Sequence, residues 1–224
     1  MTIAAAGTLA AFLDRLIEFA EPTPADHCLD VAYGPSPVAS ALSPSVGDVT
    51  TVGIGPEHSG DLSSHPSALP YNDAVFSLVT ARFSLHRLAD PVAALREMIR
   101  VCHPAGRIVI ADLARTNHSS DHRDALERVR DPSYRSTPPI GDFTAMIESA
   151  GATVTRLDLV TVERPAGPWL AAAQTPRIAD HLREALMAET GGGPKTGARP
   201  RLIGGELWFT QTWAHIAAVP HRAR

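Results

Sequence analysis

The run from Leu69 to Leu113, LPYNDAVFSLVTARFSLHRLADPVAALREMIRVCHPAGRIVIADL, constrains the fold more than any other part of the chain. Val75 to Thr80 is an apolar run of strand length. Pro91 pre-sets the first turn of a helix on which Ala94, Leu95, Met98, Ile99 and Cys102 share one face at 3.6-residue spacing. Pro104, Ala105 and Gly106 are expected to stop that helix, and Arg107 to Leu113 resumes as a mostly apolar strand. Strand, amphipathic helix and strand make a βαβ unit with a right-handed crossover. Strands apolar on both faces belong to a parallel sheet covered by helices on each side. The expected class is α/β, with a doubly wound, mostly parallel sheet.

The flanking segments fit that scheme. Thr8 to Phe19 carries Leu9, Phe12, Leu13, Leu16 and Ile17 at helical spacing, with Thr8 as cap, and Pro22 and Pro24 end the helix. Cys28 to Ala32 reads as a buried strand, then the turn Tyr33-Gly34-Pro35-Ser36, a brief helix through Val38, Ala39 and Leu42, and a second strand at 49–54. Gly55 to Leu69 has no periodicity and is rich in turn formers, so it reads as a loop. Helices are expected at 119–129 and 140–150, and a strand at 153–162. Thr175 and Pro176 give cap and first position of a helix through Ile178, Leu182 and Leu186. Gly191 to Gly193 ends it, and Gly204-Gly205 turns the chain into a last strand from Glu206 to Val219.

The 224 residues fit one domain, 1–224, with an N-terminal helix and linker at 1–26, a core at 27–113 and further helices and strands at 114–224. A net charge of −4 offers no nucleic-acid surface. No run approaches the roughly 18 apolar residues of a membrane helix. Met1 to Ala20 lacks the basic start and cleavage site of a signal peptide, so a soluble, cytoplasmic protein is expected. The two cysteines, Cys28 and Cys102, each lie in an apolar run and read as buried core thiols.

Three pieces together resemble the class I S-adenosylmethionine (SAM) methyltransferases, in particular the small-molecule branch related to quinone-biosynthesis enzymes. They are LDVAYGP at 29–35, VTTVGIGPE at 49–57, and the central stretch with LPYNDAVFSLV, RFSLHRL and HPAGRIVIADL. ERVRDPS at 127–133 and the tail GPKTGARPRLIGGELWFTQTW extend the likeness over most of the chain. The resemblance implies a Rossmann-like sheet and a SAM site at a glycine-rich turn, where glycine permits close backbone approach and positive φ. Asp30 and Gly34 match that pattern, while Ala32 and Ser36 stand in place of glycines; Asp30, Gly34 and Ser36 are thus the remnant cofactor-binding motif.

Two departures stand out. The family ends its second strand in an acid that accepts hydrogen bonds from both ribose hydroxyls, and the matching position is Gly55. A second family carboxylate, which binds the adenine amino group before the LP pair, corresponds best to His65. The family also fits a helix and a third strand between these points. The fifteen positions from Gly55 to Leu69 cannot hold both, since a helix needs roughly 10 residues and a strand about 5. The third strand and its preceding helix are therefore expected to be shortened or missing. Each lost hydrogen bond to a carboxylate is worth about 1.5–3 kcal/mol. Losing both groups costs about two to four decades of affinity. The alternative is that SAM binds in a shifted way, with Glu57, His65 or Ser36 substituting.

Ligands of open α/β sheets bind beyond the carboxyl ends of the strands. The residues there are Tyr33, His58, His65, Arg82, His86, Asp112 and Asn117. His86, at a histidine position common in the family, can exchange a proton near neutral pH or simply bond its own loop. Tyr33 can fill the space of the cofactor's amino-acid part or donate its hydroxyl. His86 and Tyr33 are the catalytic candidates. Arg82, Asp112, Trp169 and His65 are the substrate-binding candidates; Arg82 and Asp112 can instead pair with each other, and Trp169 is either a lid aromatic or core. His118 and His122 are at helical spacing, but no further ligand set completes a metal site, and none is expected.

The leading expectation is a methyltransferase-fold enzyme that has lost SAM use and needs no cofactor. It would bind a small hydrophobic metabolite in an apolar cleft and catalyse a cyclisation or rearrangement of a natural-product intermediate. One alternative is a genuine SAM-dependent O-, N- or C-methyltransferase acting on a small molecule. Another is a non-catalytic partner of an active homologous subunit. The aromatics of the last strand, Trp208, Phe209 and Trp213, suit either a homodimer or a buried sheet edge.

Overall fold

The computed structural model describes residues 5–34, 36–54, 65–116 and 122–221. Its centre is a seven-stranded sheet of β1 (His27–Ala32), β2 (Asp48–Gly53), β3 (Phe76–Arg82), β4 (Cys102–Ala114), β5 (Ala152–Pro165), β6 (Arg201–Ile203) and β7 (Glu206–Pro220). The spatial order is β2-β1-β3-β4-β7-β5, and β6 forms a short hairpin with β7. β2, β1, β3 and β4 pair in parallel, whereas β7 runs antiparallel to both β4 and β5.

Alternation along the strands sorts side chains to two layers. Val79 of β3 and Ile108 and Ile110 of β4 face α3 (Pro91–Val101) and α5 (Ile140–Ala150), where Leu95, Met98, Phe143 and Ile147 are buried. Leu78, Val109 and Ala111 face the other way, onto α1 (Ala5–Ala20) and α2 (Val38–Leu42) through Leu16, Val38 and Leu42. Period-two patterning thus places helices on both faces. A third apolar cluster joins α6 (Ala166–Ala171) and α7 (Pro176–Thr190) to Leu207 and Phe209 of β7.

The expected βαβ unit is present, with one shift. Asp90 caps α3 by accepting from the Ala93 N–H at 2.9 Å, and the helix ends at Val101 rather than continuing through Cys102. Pro104, Ala105 and Gly106 do not stop a helix; they lie in an irregular start of β4, which already pairs Cys102 with Phe76. Gly106 is there for space, because a Cβ would lie 2.7 Å from the Ser77 carbonyl oxygen. The Thr175 side chain accepts from Ile178 N–H at the start of α7, as its Thr-Pro signature implies. The strand expected at 153–162 runs from 152 to 165, and α6 and β6 were not anticipated. α4 (His122–Arg130) begins where the description resumes.

Beyond the parallel edge, β2 is the last strand among the described residues. Gly55, Glu57 and His58, on which the argument about the adenosine side rests, lie outside the described residues, as do Asn117 and His118. No helix among the described residues is long and apolar enough to cross a membrane.

Candidate active site at the carboxyl edge of the sheet

The chain pairs β1 with β2 on one side and with β3 on the other, so strand order reverses at β1. Such a switch point leaves a crevice above the carboxyl ends of the two diverging strands. Here those ends are Ala32 and Arg82, and the turn after β1 leads the chain over the crevice. Gly34 sits at φ +84° with open space where a Cβ would be. The turn is tied to the next loop by Ser84, whose buried hydroxyl accepts from the Tyr33 N–H at 3.2 Å and lies 3.2 Å from the Val31 carbonyl. Phe83 holds a left-handed φ of +50°, unusual for a bulky side chain, and its ring meets Trp213 edge-on at 4.9 Å.

Asp30 lies beneath the turn, fully buried. Its Oδ1 accepts from the Thr80 hydroxyl at 2.9 Å, while Oδ2 has no hydrogen-bond partner. Burial raises its pKa; the Ser36 hydroxyl, Thr80, the Ala39 N–H and the Arg82 charge oppose that rise without cancelling it. Ser36 also accepts from the Val38 N–H at the start of α2. A buried carboxylate with one oxygen outside hydrogen-bonding geometry, below an open glycine turn, suits a ligand whose end is cationic. This is the fit expected for the amino-acid end of SAM, and Asp30, Gly34 and Ser36 would form that end of its cradle.

Tyr33 is half-buried, packs against the core and lies under the guanidinium of Arg87 at 5.3 Å. Arg87 is in turn fixed by Asp131 at 2.9 Å and by the Ser133 hydroxyl. This arrangement makes the ERVRDPS segment part of the wall behind Tyr33.

His86 and Asp112 form a buried pair. His86 Nδ1 is 2.5 Å from Asp112 Oδ1, and the same carboxylate accepts from the N–H groups of Leu85 at 2.8 Å, His86 at 3.3 Å and Leu113 at 2.7 Å. A carboxylate already surrounded by donors makes Nδ1 the proton-bearing nitrogen. Nε2 makes no hydrogen bond among the described residues. His86 lines a cavity of 360 Å³ with Leu85, Leu88, Pro91, Phe143 and Met146. A second cavity, of 240 Å³, lies past Leu113 against α4 and the start of β7.

The remaining candidates are dispersed. Arg82 does not pair with Asp112, whose oxygens are occupied by His86 and three backbone donors; Arg82 stacks on Phe83 at 4.4 Å. Burial lowers the Arg82 pKa, and the charges of Asp30 and Asp112 counter this. His65 is exposed on a local turn, with Nδ1 2.7 Å from the Ser67 hydroxyl. Trp169 is buried in the third cluster and donates from Nε1 to Glu127 at 3.1 Å. No group of three or more His, Cys, Asp or Glu side chains among the described residues could hold a metal ion.

The family described as "Methyltransferase domain" matches residues 29–110, which run from β1 into β4. The ubiquinone/menaquinone biosynthesis C-methyltransferase UbiE of Shewanella woodyi is 29% identical over 145 residues, covering 56% of each chain. The YcgJ protein of Bacillus subtilis superposes with a TM-score of 0.81 at 18% identity, over 96% of this chain and all of that one. Residues 29–110 thus match a methyltransferase-domain family, and the chain as a whole has the fold of the class I methyltransferases. The [4+2]-cyclase SpnF shares the fold at a TM-score of 0.60 and 16% identity, over 95% of this chain and 81% of SpnF. The chain spans a little over half the length of the first curated relatives it matches.

The sequence reading missed Ser84, Arg87 and the second cavity. Ser84 and Arg87 flank the motif histidine in SLHRL, so their closeness to Tyr33 needed only the parallel register of β1 and β3. The second cavity joins segments nearly 90 residues apart, which no local pattern signals.

Proposed function

We propose that this chain is a SAM-dependent methyltransferase acting on a small molecule. The observation that carries the reading is the open Gly34 turn at the β1/β3 switch point above the orphan oxygen of Asp30. SAM, when bound, supplies an electrophilic methyl group on a sulfonium. The chain's own work is to hold the cofactor through the 30–36 segment and to present an acceptor beside it. His86 Nε2 would take and hold the proton given up by the acceptor's O–H, N–H or acidic C–H. Asp112 fixes the ring so that Nε2 faces the cavity, and Tyr33 shapes the wall between cofactor and acceptor. The match to UbiE supports a small-molecule acceptor, and the apolar cavity beside His86 suits its carbon skeleton.

Calorimetric titration with S-adenosylhomocysteine tests this. Binding in the micromolar range is expected, and no heat up to millimolar ligand overturns the reading.

A second reading, cofactor-free cyclisation or rearrangement in the same cavity, is favoured by the end of β2. There Gly53, Ile54 and Gly55 offer no carboxylate for a ribose. In that case His86 would give or accept a hydrogen bond where charge develops, and the titration would be silent.

A further inference from the structure

We infer that the 240 Å³ cavity between α4 and β7 binds an anionic oxygen group, a carboxylate or a phosphate, and that this group belongs to the methyl acceptor. The second half of the inference rests on the methyl-transfer reading; the anion site itself does not.

The cavity's polar groups are unevenly satisfied. Two carboxylates line the cavity, and both are used internally. Glu127 accepts from Arg123, from Arg130 Nε at 3.0 Å and from Trp169 Nε1 at 3.1 Å. Asp124 accepts from the Tyr134 hydroxyl at 2.6 Å and the Thr137 N–H at 3.3 Å, and meets Arg128 at 3.7 Å. The Gln211 amide oxygen is also occupied, by Arg164 Nη1 at 3.0 Å and Trp213 Nε1 at 3.4 Å. That leaves its NH2 group as the available part of a side chain that lines the cavity. The carboxylate and amide oxygens are taken and a donor remains, which favours a ligand rich in acceptors.

Positive charge gathers around the cavity. Arg115, Arg123 and Arg199 line the cavity, with Arg130 and Arg164 packed behind it, against Glu127 and Asp124. Arg164 has no carboxylate within ion-pair distance among the described residues. Burial depresses its pKa, and Arg123 and Arg130 add to that, with only Glu127 opposing. Cations crowded in this way are stabilised by an incoming anion.

The loop that carries Arg199 is held in a costly conformation. Arg199 makes no hydrogen bond or ion pair with a described residue, yet its backbone is held at φ +49°, where an arginine is strained. The loop that holds it is anchored on both sides. Glu189 accepts from the Thr196 N–H at 2.8 Å, and the Thr210 N–H donates to the Ala198 carbonyl at 2.9 Å. Gly197 lies so close to α4 that a Cβ would be 2.9 Å from the Arg123 nitrogen. A strained but firmly anchored loop places the Arg199 guanidinium at the cavity rim.

The test is calorimetric titration of the full chain with benzoate, phenyl phosphate and the neutral isostere benzamide. At least one acid should bind about tenfold or more tightly than benzamide, and the affinity should fall with added salt. Preference for benzoate or for phenyl phosphate identifies the group. Arg199→Gln should weaken the acid about tenfold or more, and so should Arg199→Gly, which relieves the φ strain and shows a Tm no lower than the parent. Benzamide matching both acids, no acid binding, or acid affinity indifferent to both substitutions overturns the inference. S-adenosylhomocysteine titrated in parallel separates the two proposals. Nucleoside binding without acid binding removes only the anion site; acid binding without nucleoside binding keeps the site and removes the methyl acceptor as its occupant.

Discussion

The carboxylate of Asp112 holds His86 Nδ1 at 2.5 Å while also receiving the N–H groups of Leu85, His86 and Leu113, so one buried side chain both builds the loop after β3 and aims the ring. The two residues should therefore fail differently. Asp112→Ala strands four donors in the interior and should cost about 3–5 kcal/mol in chemical denaturation. His86→Gln removes only the proton acceptor. It should leave the denaturation midpoint within about 1–2 kcal/mol of the parent while slowing methyl transfer about 10²–10⁴-fold. Equal turnover in His86→Gln and parent would remove the histidine from the chemistry.

Asp30 predicts a trade between stability and binding. Burial raises its pKa, so the native state holds a proton more readily than the unfolded chain. Its contribution is then most favourable in acid and falls as pH rises above the unfolded value of about 3.9. Asp30→Asn abolishes the buried charge and should raise stability at pH 7 by about 1–3 kcal/mol. If SAM binds as proposed, the same change removes the anionic partner of its ammonium, so S-adenosylhomocysteine affinity should drop about tenfold or more. A substitution that destabilises the free protein would show that the carboxylate is a structural acceptor rather than a poised one.

The fold was legible because its signals are local. Val79, Ile108 and Ile110 alternate with Leu78, Val109 and Ala111, and that alternation alone requires helices on two faces. The end of α3 was misplaced because Cys102 fits both the helix stripe and the first pairing of β4, and tertiary pairing with Phe76 decides between them. At the site, Asp30, Gly34 and His86 were visible as motif positions, but the Arg82–Asp112 pair was not a sound inference. Adjacent strands bring the two close, yet Asp112 has a nearer set of donors in the 85–86 backbone. Trp169 was ambiguous for a related reason: a tryptophan after two prolines looks alike in a lid and in a core, and only Glu127, 42 residues away, settles where its N–H goes.

Two glycines separate crowding from backbone conformation. Gly106 faces the Ser77 carbonyl at 2.7 Å and Cys102 Sγ at 3.0 Å from where a Cβ would stand, so Gly106→Ala must displace backbone in the β3–β4 pair. It should cost about 2–4 kcal/mol by denaturant titration. Gly34 has open space but a φ of +84°, so Gly34→Ala carries only the left-handed penalty of about 1–2 kcal/mol. On the proposed reading the added methyl would also intrude on a cofactor held at the turn, so nucleoside binding should weaken more than stability does. The reverse ranking of the two stability costs would mean that the start of β4 is free to adjust.

Asp26 supplies the clearest pH dependence in the molecule. Burial pushes its pKa up, but Arg107, the Ser77 hydroxyl at 2.7 Å and the Thr23 N–H at 2.8 Å outweigh that and hold the carboxyl well below the ordinary range. Arg107 at the same time donates to the carbonyls of Ala20 and Glu21, each at 2.7 Å, so the pair fastens the end of α1 to β3 and β4. A depressed acid binds fewer protons folded than unfolded. Its stabilisation is complete above the unfolded pKa of about 3.9 and is lost as pH falls from there toward the folded value. Asp26→Asn should thus cost about 2–4 kcal/mol at pH 7, and the gap to the parent should close progressively below about pH 4. Urea titrations of both proteins from pH 7 to pH 3 read this out directly. A gap independent of pH would mean that the shape of the side chain, and not its charge, joins helix to sheet.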